Sequence, residues 1–254
     1  TRYKGFYIDW AQKGSATGYD VEYSVNSNMS GAVSKHLTAN KPDTLTVSGL
    51  SGDKTYYVRV RSYTNVNGKV YYGAWSDIKS IKTANNDITK ATVSGISTKA
   101  FTGKAITQNV TVKVGNTVLK NGTDYTVSYS NNKKVGKATV KITGKGKYGG
   151  VITKTFKINP AKQEIQKLTA KSKAFFVDWA QKGSATGYEI QYATNSKFTG
   201  AKKVAITNNK TDKTTVSKLS GNKKYYVRVR SYTTVGGTKY YGSWSATKTV
   251  TTKK

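Results

Sequence analysis

Four of the five arginines in this 254-residue chain fall in two stretches of alternating sequence. Arg59 and Arg61 lie in Tyr56-Tyr57-Val58-Arg59-Val60-Arg61-Ser62-Tyr63, and Arg228 and Arg230 lie in Tyr225-Tyr226-Val227-Arg228-Val229-Arg230-Ser231-Tyr232. They are interleaved with Tyr57, Tyr63, Tyr226 and Tyr232. Tyrosine and arginine dominate binding hot spots, and aromatic faces also stack on sugar rings. A second aromatic patch, Tyr71, Tyr72, Tyr240 and Tyr241, follows each stretch. These twelve residues are the candidate ligand-binding set. The same pattern supports a structural role: Glu22 on a neighbouring strand can meet Arg59 or Arg61, and Glu189 can meet Arg228 or Arg230.

Catalytic chemistry is harder to assemble. A hydrolase needs paired carboxylates, a triad or a metal cluster. The single histidine, His36, has no nucleophile motif beside it, and Ala205 takes its place where the surrounding sequence recurs. Asp9 and Asp178 each precede a tryptophan, but alternation turns them outward, where a lysine neighbour or a turn hydrogen bond accounts for them. Gly144-Lys145-Gly146 lacks the strand–loop–helix setting of a phosphate-binding loop and reads as a hairpin turn. With no Cys and only 12 Asp plus Glu, thiolate sites, disulfides and calcium loops are not expected. No catalytic residue, metal site or cofactor is assigned.

The charge balance suggests partners instead. Lys plus Arg number 43, for a net charge of +31, and 38 of them are lysines spread along the whole chain. Lysine is a hydrated point charge, whereas planar bidentate recognition of phosphates or bases favours arginine. An even lysine coat therefore predicts non-specific attraction to anionic polymers rather than sequence-specific reading of nucleic acid. It would also keep a β-rich surface soluble and blunt its sheet edges. No apolar run is long enough for a transmembrane helix.

The elements that position these residues come from a repeat. Asp9-Trp10-Ala11-Gln12-Lys13-Gly14-Ser15-Ala16-Thr17-Gly18-Tyr19 recurs unchanged from Asp178 to Tyr188, an offset of 169 residues. Tyr56–Thr64 recurs at Tyr225–Thr233, and Tyr71–Ser76 at Tyr240–Ser245, both at the same offset of 169. Period-two alternation puts Tyr56, Val58 and Val60 on one face and Tyr57, Arg59 and Arg61 on the other. Short strands separated by Gly, Asn and Ser turns predict antiparallel sandwiches. Gln163–Thr169 reads as a strand ahead of the second copy, and the first, which begins at Thr1, lacks it. A further module is therefore expected before Thr1.

Trp10 and Trp179, the pairs Leu50 with Tyr56 and Leu219 with Tyr225, and the turns Gly73-Ala74-Trp75-Ser76 and Gly242-Ser243-Trp244-Ser245 resemble the core tryptophan, tyrosine corner and Gly-x-Trp-Ser turn of the fibronectin type III family. The integrin-binding Arg-Gly-Asp tripeptide is absent, so that activity is not carried over. Between the copies, Asn121-Gly122-Thr123-Asp124-Tyr125, Asn131-Asn132-Lys133-Lys134-Val135-Gly136 and Gly144–Gly150 resemble small immunoglobulin-like repeats of Gram-positive secreted and wall-attached proteins.

The resemblances imply an all-β chain of three tandem antiparallel β-sandwich modules in an extended array: 1–84 fibronectin type III without its first strand, 85–161 immunoglobulin-like, and 162–254 fibronectin type III. They further imply a non-catalytic structural or adhesive segment of a larger bacterial surface protein. It would lie outside the cell, at the surface or in the wall, beside further domains of the same parent chain. Its expected partners are an anionic wall polymer or glycan. Specific binding of a host glycan, glycoprotein or immunoglobulin through the Tyr/Arg faces and end loops is the alternative.

Overall fold

The computed structural model describes residues 2–41 and 43–254. Thr1, where the first copy is expected to begin, lies outside the described residues. Strand makes up 54% of the chain and helix 1%, so the all-β class holds.

The first copy comprises β1 (Gly5–Asp9), β2 (Gly18–Ser24), β3 (Val33–Leu37), β4 (Thr44–Ser48), β5 (Thr55–Val66), β6 (Lys69–Tyr72) and β7 (Lys79–Lys82). The middle segment has shorter pieces: β8 (Asn86–Asp87), β9 (Thr92–Ser94), β10 (Lys99–Ala100), β11 (Thr111–Val114) and β12 (Thr117–Val118). These are followed by β13 (Tyr125–Ser130), β14 (Gly136–Gly144), β15 (Tyr148–Gly149) and β16 (Val151–Asn159). The second copy runs from β17 (Ile165–Lys171) and β18 (Ala174–Trp179) through β19 (Gly187–Ala193) and β20 (Lys202–Ile206). It ends with β21 (Lys213–Val216), β22 (Lys224–Val235), β23 (Thr238–Tyr241) and β24 (Lys248–Thr251).

The chain divides into two compact units. One comprises Thr1–Ser94, Val110–Ser128 and Lys141–Thr153; the other comprises Gly95–Asn109, Tyr129–Val140 and Lys154–Lys254. The middle segment is thus apportioned between them.

In the first unit, β2 is flanked by β3 and β5, β6 and β7 both pair with β5, and β1 pairs with β4 in a second sheet. Phe6, Val21, Tyr23, Val47, Tyr56 and Val58 fill the space between these sheets. β9, β11 and β12 form a small sheet, and β8 runs parallel to β15. Gly144 ends β14, and the turn that follows spans Lys145–Tyr148, closed by Tyr148 N–H donating to Lys145 O at 3.1 Å.

In the second unit, β19 lies between β20 and β22, which also carries β23 and β24, and the opposing sheet has the order β17-β18-β21. Phe175, Val177, Trp179, Tyr188, Ile190, Val227 and Val229 are fully buried between them. Fully burying an aliphatic or aromatic side chain stabilises the fold by about 1.5–3 kcal/mol, so this interior is the main driving force for the second copy. β10 pairs in parallel with β16.

The family-like signatures have clear structural roles. The Tyr56 hydroxyl accepts from Ser51 N–H at 3.3 Å, and that of Tyr225 from Ser220 N–H at 3.2 Å. Each corner tyrosine thereby ties the loop before its strand to the core. Ser76 and Ser245 dock the tryptophan turn onto the long strand. Their N–H groups donate to Val60 O and Val229 O, both at 2.8 Å, and their hydroxyls accept from the Val60 and Val229 N–H groups at 3.1 and 3.0 Å.

The long hairpin has a two-residue tip. β5 continues to Val66, leaving only Asn67 and Gly68 at the tip, with φ of 49° and 85°. Two successive residues at positive φ make the kind of turn whose twist matches the flanking strands.

The two copies differ where the sequence differs. Among the described residues, β1 has β4 on one side and no strand on the other. In the second copy β17 covers that edge, setting Ile165 opposite Trp179. Trp179 is 0% exposed as a result, whereas Trp10 is half-buried.

Candidate functional site

The outer face of the β3-β2-β5 sheet gathers most of the charged side chains singled out in the first copy. Antiparallel register sets Glu22 opposite Arg59 and Asp20 opposite Arg61. Arg59 Nε and Nη2 donate to Glu22 Oε2 at 2.9 and 2.7 Å, and Arg61 Nε donates to Asp20 Oδ2 at 3.0 Å, with Nη2 in ion-pair contact with the same oxygen at 2.9 Å. Trp75 lies against both guanidinium groups, its ring centroid 4.4 Å from Arg59 Cζ and 4.5 Å from Arg61 Cζ. Tyr72 covers Arg61 at 3.8 Å. Each cation over an aromatic face contributes about 0.5–2 kcal/mol depending on its desolvation.

Tyr63 shares this face without being open to a ligand. It is 5% exposed, stacked on His36 at 4.6 Å with a 16° interplanar angle and flanked by Tyr72. Its hydroxyl donates to Leu37 O at 3.3 Å. Burial, with a contribution from the Asp20 charge, pushes its pKa up. Tyr232 is likewise 4% exposed and donates to Ile206 O at 3.4 Å. Placing Tyr63 and Tyr232 among the contact residues is therefore corrected: they lie on the expected face but are covered and structural. His36 is exposed, with Nδ1 2.6 Å from Asp20 Oδ1.

The second copy repeats the arrangement with different partners. Arg230 Nε donates to Glu189 Oε2 at 2.6 Å, and Lys203 Nζ lies 3.5 Å from Glu189 Oε1. Arg228 faces an amide: its Nε donates to Gln191 Oε1 at 2.7 Å. Its guanidinium packs against the rings of Phe198, at 3.9 Å, and Trp244, at 4.7 Å. Burial first, and the neighbouring Arg230 charge second, lower its pKa. Trp244 also covers Arg230 at 4.3 Å, and Tyr241 covers it at 4.0 Å.

Among the remaining candidates, Tyr71 and Tyr72 are 51% and 53% exposed, whereas Tyr57, Tyr226, Tyr240 and Tyr241 are half-buried. In the second unit a groove of about 670 Å³ is lined by Tyr129, Lys133, Lys134, Lys137, Val235 and Tyr240. Asp9 lies exposed on β1, and Asp178 stands opposite Lys167 and Lys213 in its sheet. Among the described residues no three His, Cys, Asp or Glu gather closely enough to hold a metal ion. No helix is long and apolar enough to cross a membrane.

Sequence reasoning pairs Glu22 and Glu189 with the arginine strand but misses Asp20 as the Arg61 partner, along with Trp75, Trp244, Phe198 and Gln191. Asp20 was legible, because it shares the parity of Glu22 on β2. The tryptophans were not, because they reach the face from a turn that lies outside any strand alternation.

A face of arginines held between carboxylates and aromatic rings on an antiparallel sandwich defines a binding or structural β-module. Residues 160–247 match the fibronectin type III domain family. Such domains are generally structural or adhesive and typically non-catalytic. The chain is also similar to the crystal structure of the FN1–FN3 domains of chicken CNTN1, with 16% identity and a TM-score of 0.34, covering 100% of this chain and 95% of that one. No curated protein matches the chain.

Proposed function

We propose that the chain is a non-catalytic structural and adhesive segment of a larger secreted or wall-attached bacterial surface protein. It would act as a spacer of three modules, at 1–84, 85–161 and 162–254, that contacts anionic wall polymer or glycan. The observation carrying this reading is the net charge of +31, spread as lysine over the whole length of a β-sandwich chain. The lysine-lined groove beside Tyr240 supports it. Polyanion binding through such a coat releases counterions, so affinity falls steeply with salt.

The test is binding to teichoic acid, glycan and glycoprotein panels at low and physiological salt. Affinity for the anionic polymers that disappears as salt rises is the expected result. Salt-resistant affinity for one glycoprotein, lost on Tyr57→Ala or Tyr226→Ala, would replace this reading with specific recognition of a host ligand. Absence of binding at low salt would leave the spacer role alone.

A further inference from the structure

Two copies of one scaffold in one chain provide an internal comparison, and their outer faces differ in charge. In the first copy, Asp20 and Glu22 neutralise Arg61 and Arg59. At the equivalent positions the second copy has Glu189 and Gln191, and Lys203 stands where the first has Ser34. The carboxylate that holds Arg59 is thus an amide opposite Arg228, and the face gains a lysine. Arg230 and Lys203 share the carboxylate of Glu189, and Arg228 is bonded to the Gln191 amide instead.

We infer that the outer face of the second copy, centred on Arg228, is a binding site for the carboxylates of an acidic peptide segment. The inference rests on the adhesive reading above and names the ligand chemistry of one face. Arg59 shows what the scaffold accepts: a glutamate side chain taking both Nε–H and Nη2–H. Arg228 keeps the same strand position, and its Nε is occupied by Gln191. Among the described residues, no carboxylate lies within ion-pair distance of it. Phe198 and Trp244 both pack against the guanidinium. A planar fork packed in this way is pre-organised for bidentate carboxylate recognition, with little rotamer freedom left to lose. Lys203 lies two strands from Arg228 in the same cross-sheet row, about 10 Å away. Glutamates two or three residues apart in an extended peptide span about 7–10 Å and would engage both cations.

Titration of the full chain with a hexaglutamate peptide, followed by calorimetry and by the arginine side-chain NMR signals, tests this. Gln191→Glu recreates the first copy's internal ion pair and keeps Arg228 in place. Lys154→Gln, at an exposed lysine on β16, changes net charge by the same amount elsewhere. Gln191→Glu is expected to weaken binding roughly tenfold or more and Lys154→Gln less than about twofold. Glu22→Gln is expected to open a second site in the first copy and raise the stoichiometry. Equal, small losses for Gln191→Glu and Lys154→Gln would overturn the site while leaving the lysine-coat reading intact. Tighter binding of an oligogalacturonate than of hexaglutamate, with the same Gln191→Glu sensitivity, would overturn the peptide assignment.

Discussion

Gly18 and Gly187 show how single residues shape the arginine faces. Each lies opposite a covered tyrosine in the register, Gly18 opposite Tyr63 and Gly187 opposite Tyr232. A Cβ on Gly187 would lie 2.2 Å from Ile206 O and 2.6 Å from the Tyr232 hydroxyl. The missing side chain is the space the tyrosine ring occupies, so ring and glycine form one unit of the sheet. Gly187→Ala is expected to destabilise the second copy by roughly 1–3 kcal/mol, the usual cost of overpacking, in chemical denaturation. Gly183→Ala is the control: nothing lies within 4 Å of its Cβ position, and no loss is expected. In sequence these glycines look like ordinary turn residues within the repeated Gly-Ser-Ala-Thr-Gly-Tyr. Strand alternation correctly put Arg59, Arg61, Arg228 and Arg230 outside. It failed for the accessibility of Tyr63 and Tyr232, because facing outward on a sheet does not prevent a neighbouring ring from covering a residue.

At the scale of elements, the difference between the copies lies in one strand. β17 pairs along β18 and sets Ile165 opposite Trp179, while among the described residues β1 has only β4 beside it. The strand was legible in Gln163–Thr169, because a constant offset aligns the two copies residue by residue. Its energetic consequence depends on burial. Trp179→Ala removes a fully buried indole and is expected to cost about 3–5 kcal/mol, whereas Trp10→Ala, at a half-buried site, should cost clearly less. Denaturation followed by tryptophan fluorescence, with hydrogen exchange on β1 and β18, measures the difference. Equal costs for the two substitutions would show that β17 adds no cover to the core. The middle segment was only partly legible: a turn follows Asn121, with Gly122 at φ of 88°, and the Gly-Lys-Gly turn lies one residue later than expected, at Lys145–Tyr148, with Gly146 at 61°. Several of its strands are only two or three residues long, too short for alternation to identify.

Over the whole molecule, one fold appears twice with its interior kept and its exterior changed. The cores use matching residues, Phe6 and Phe175, Val21 and Ile190, Tyr56 and Tyr225, whereas Glu22, Ser34 and His36 give way to Gln191, Lys203 and Ala205 on the outer faces. Packing constrains the interior to near-isosteric exchange, and the solvent-facing side of a sheet is free to diverge. On the proposed reading, the net charge of +31 would attract anions at a distance and the arginine faces would decide what is held on contact. An NMR spectrum of the arginine side chains of the intact protein tests this division most directly. Arg59, Arg61 and Arg230 should show slowly exchanging Nε–H groups shifted by carboxylate bonding, with Arg228 distinct from all three through its bond to an amide. Four indistinguishable, rapidly exchanging signals would mean that the clamped arginine faces do not form.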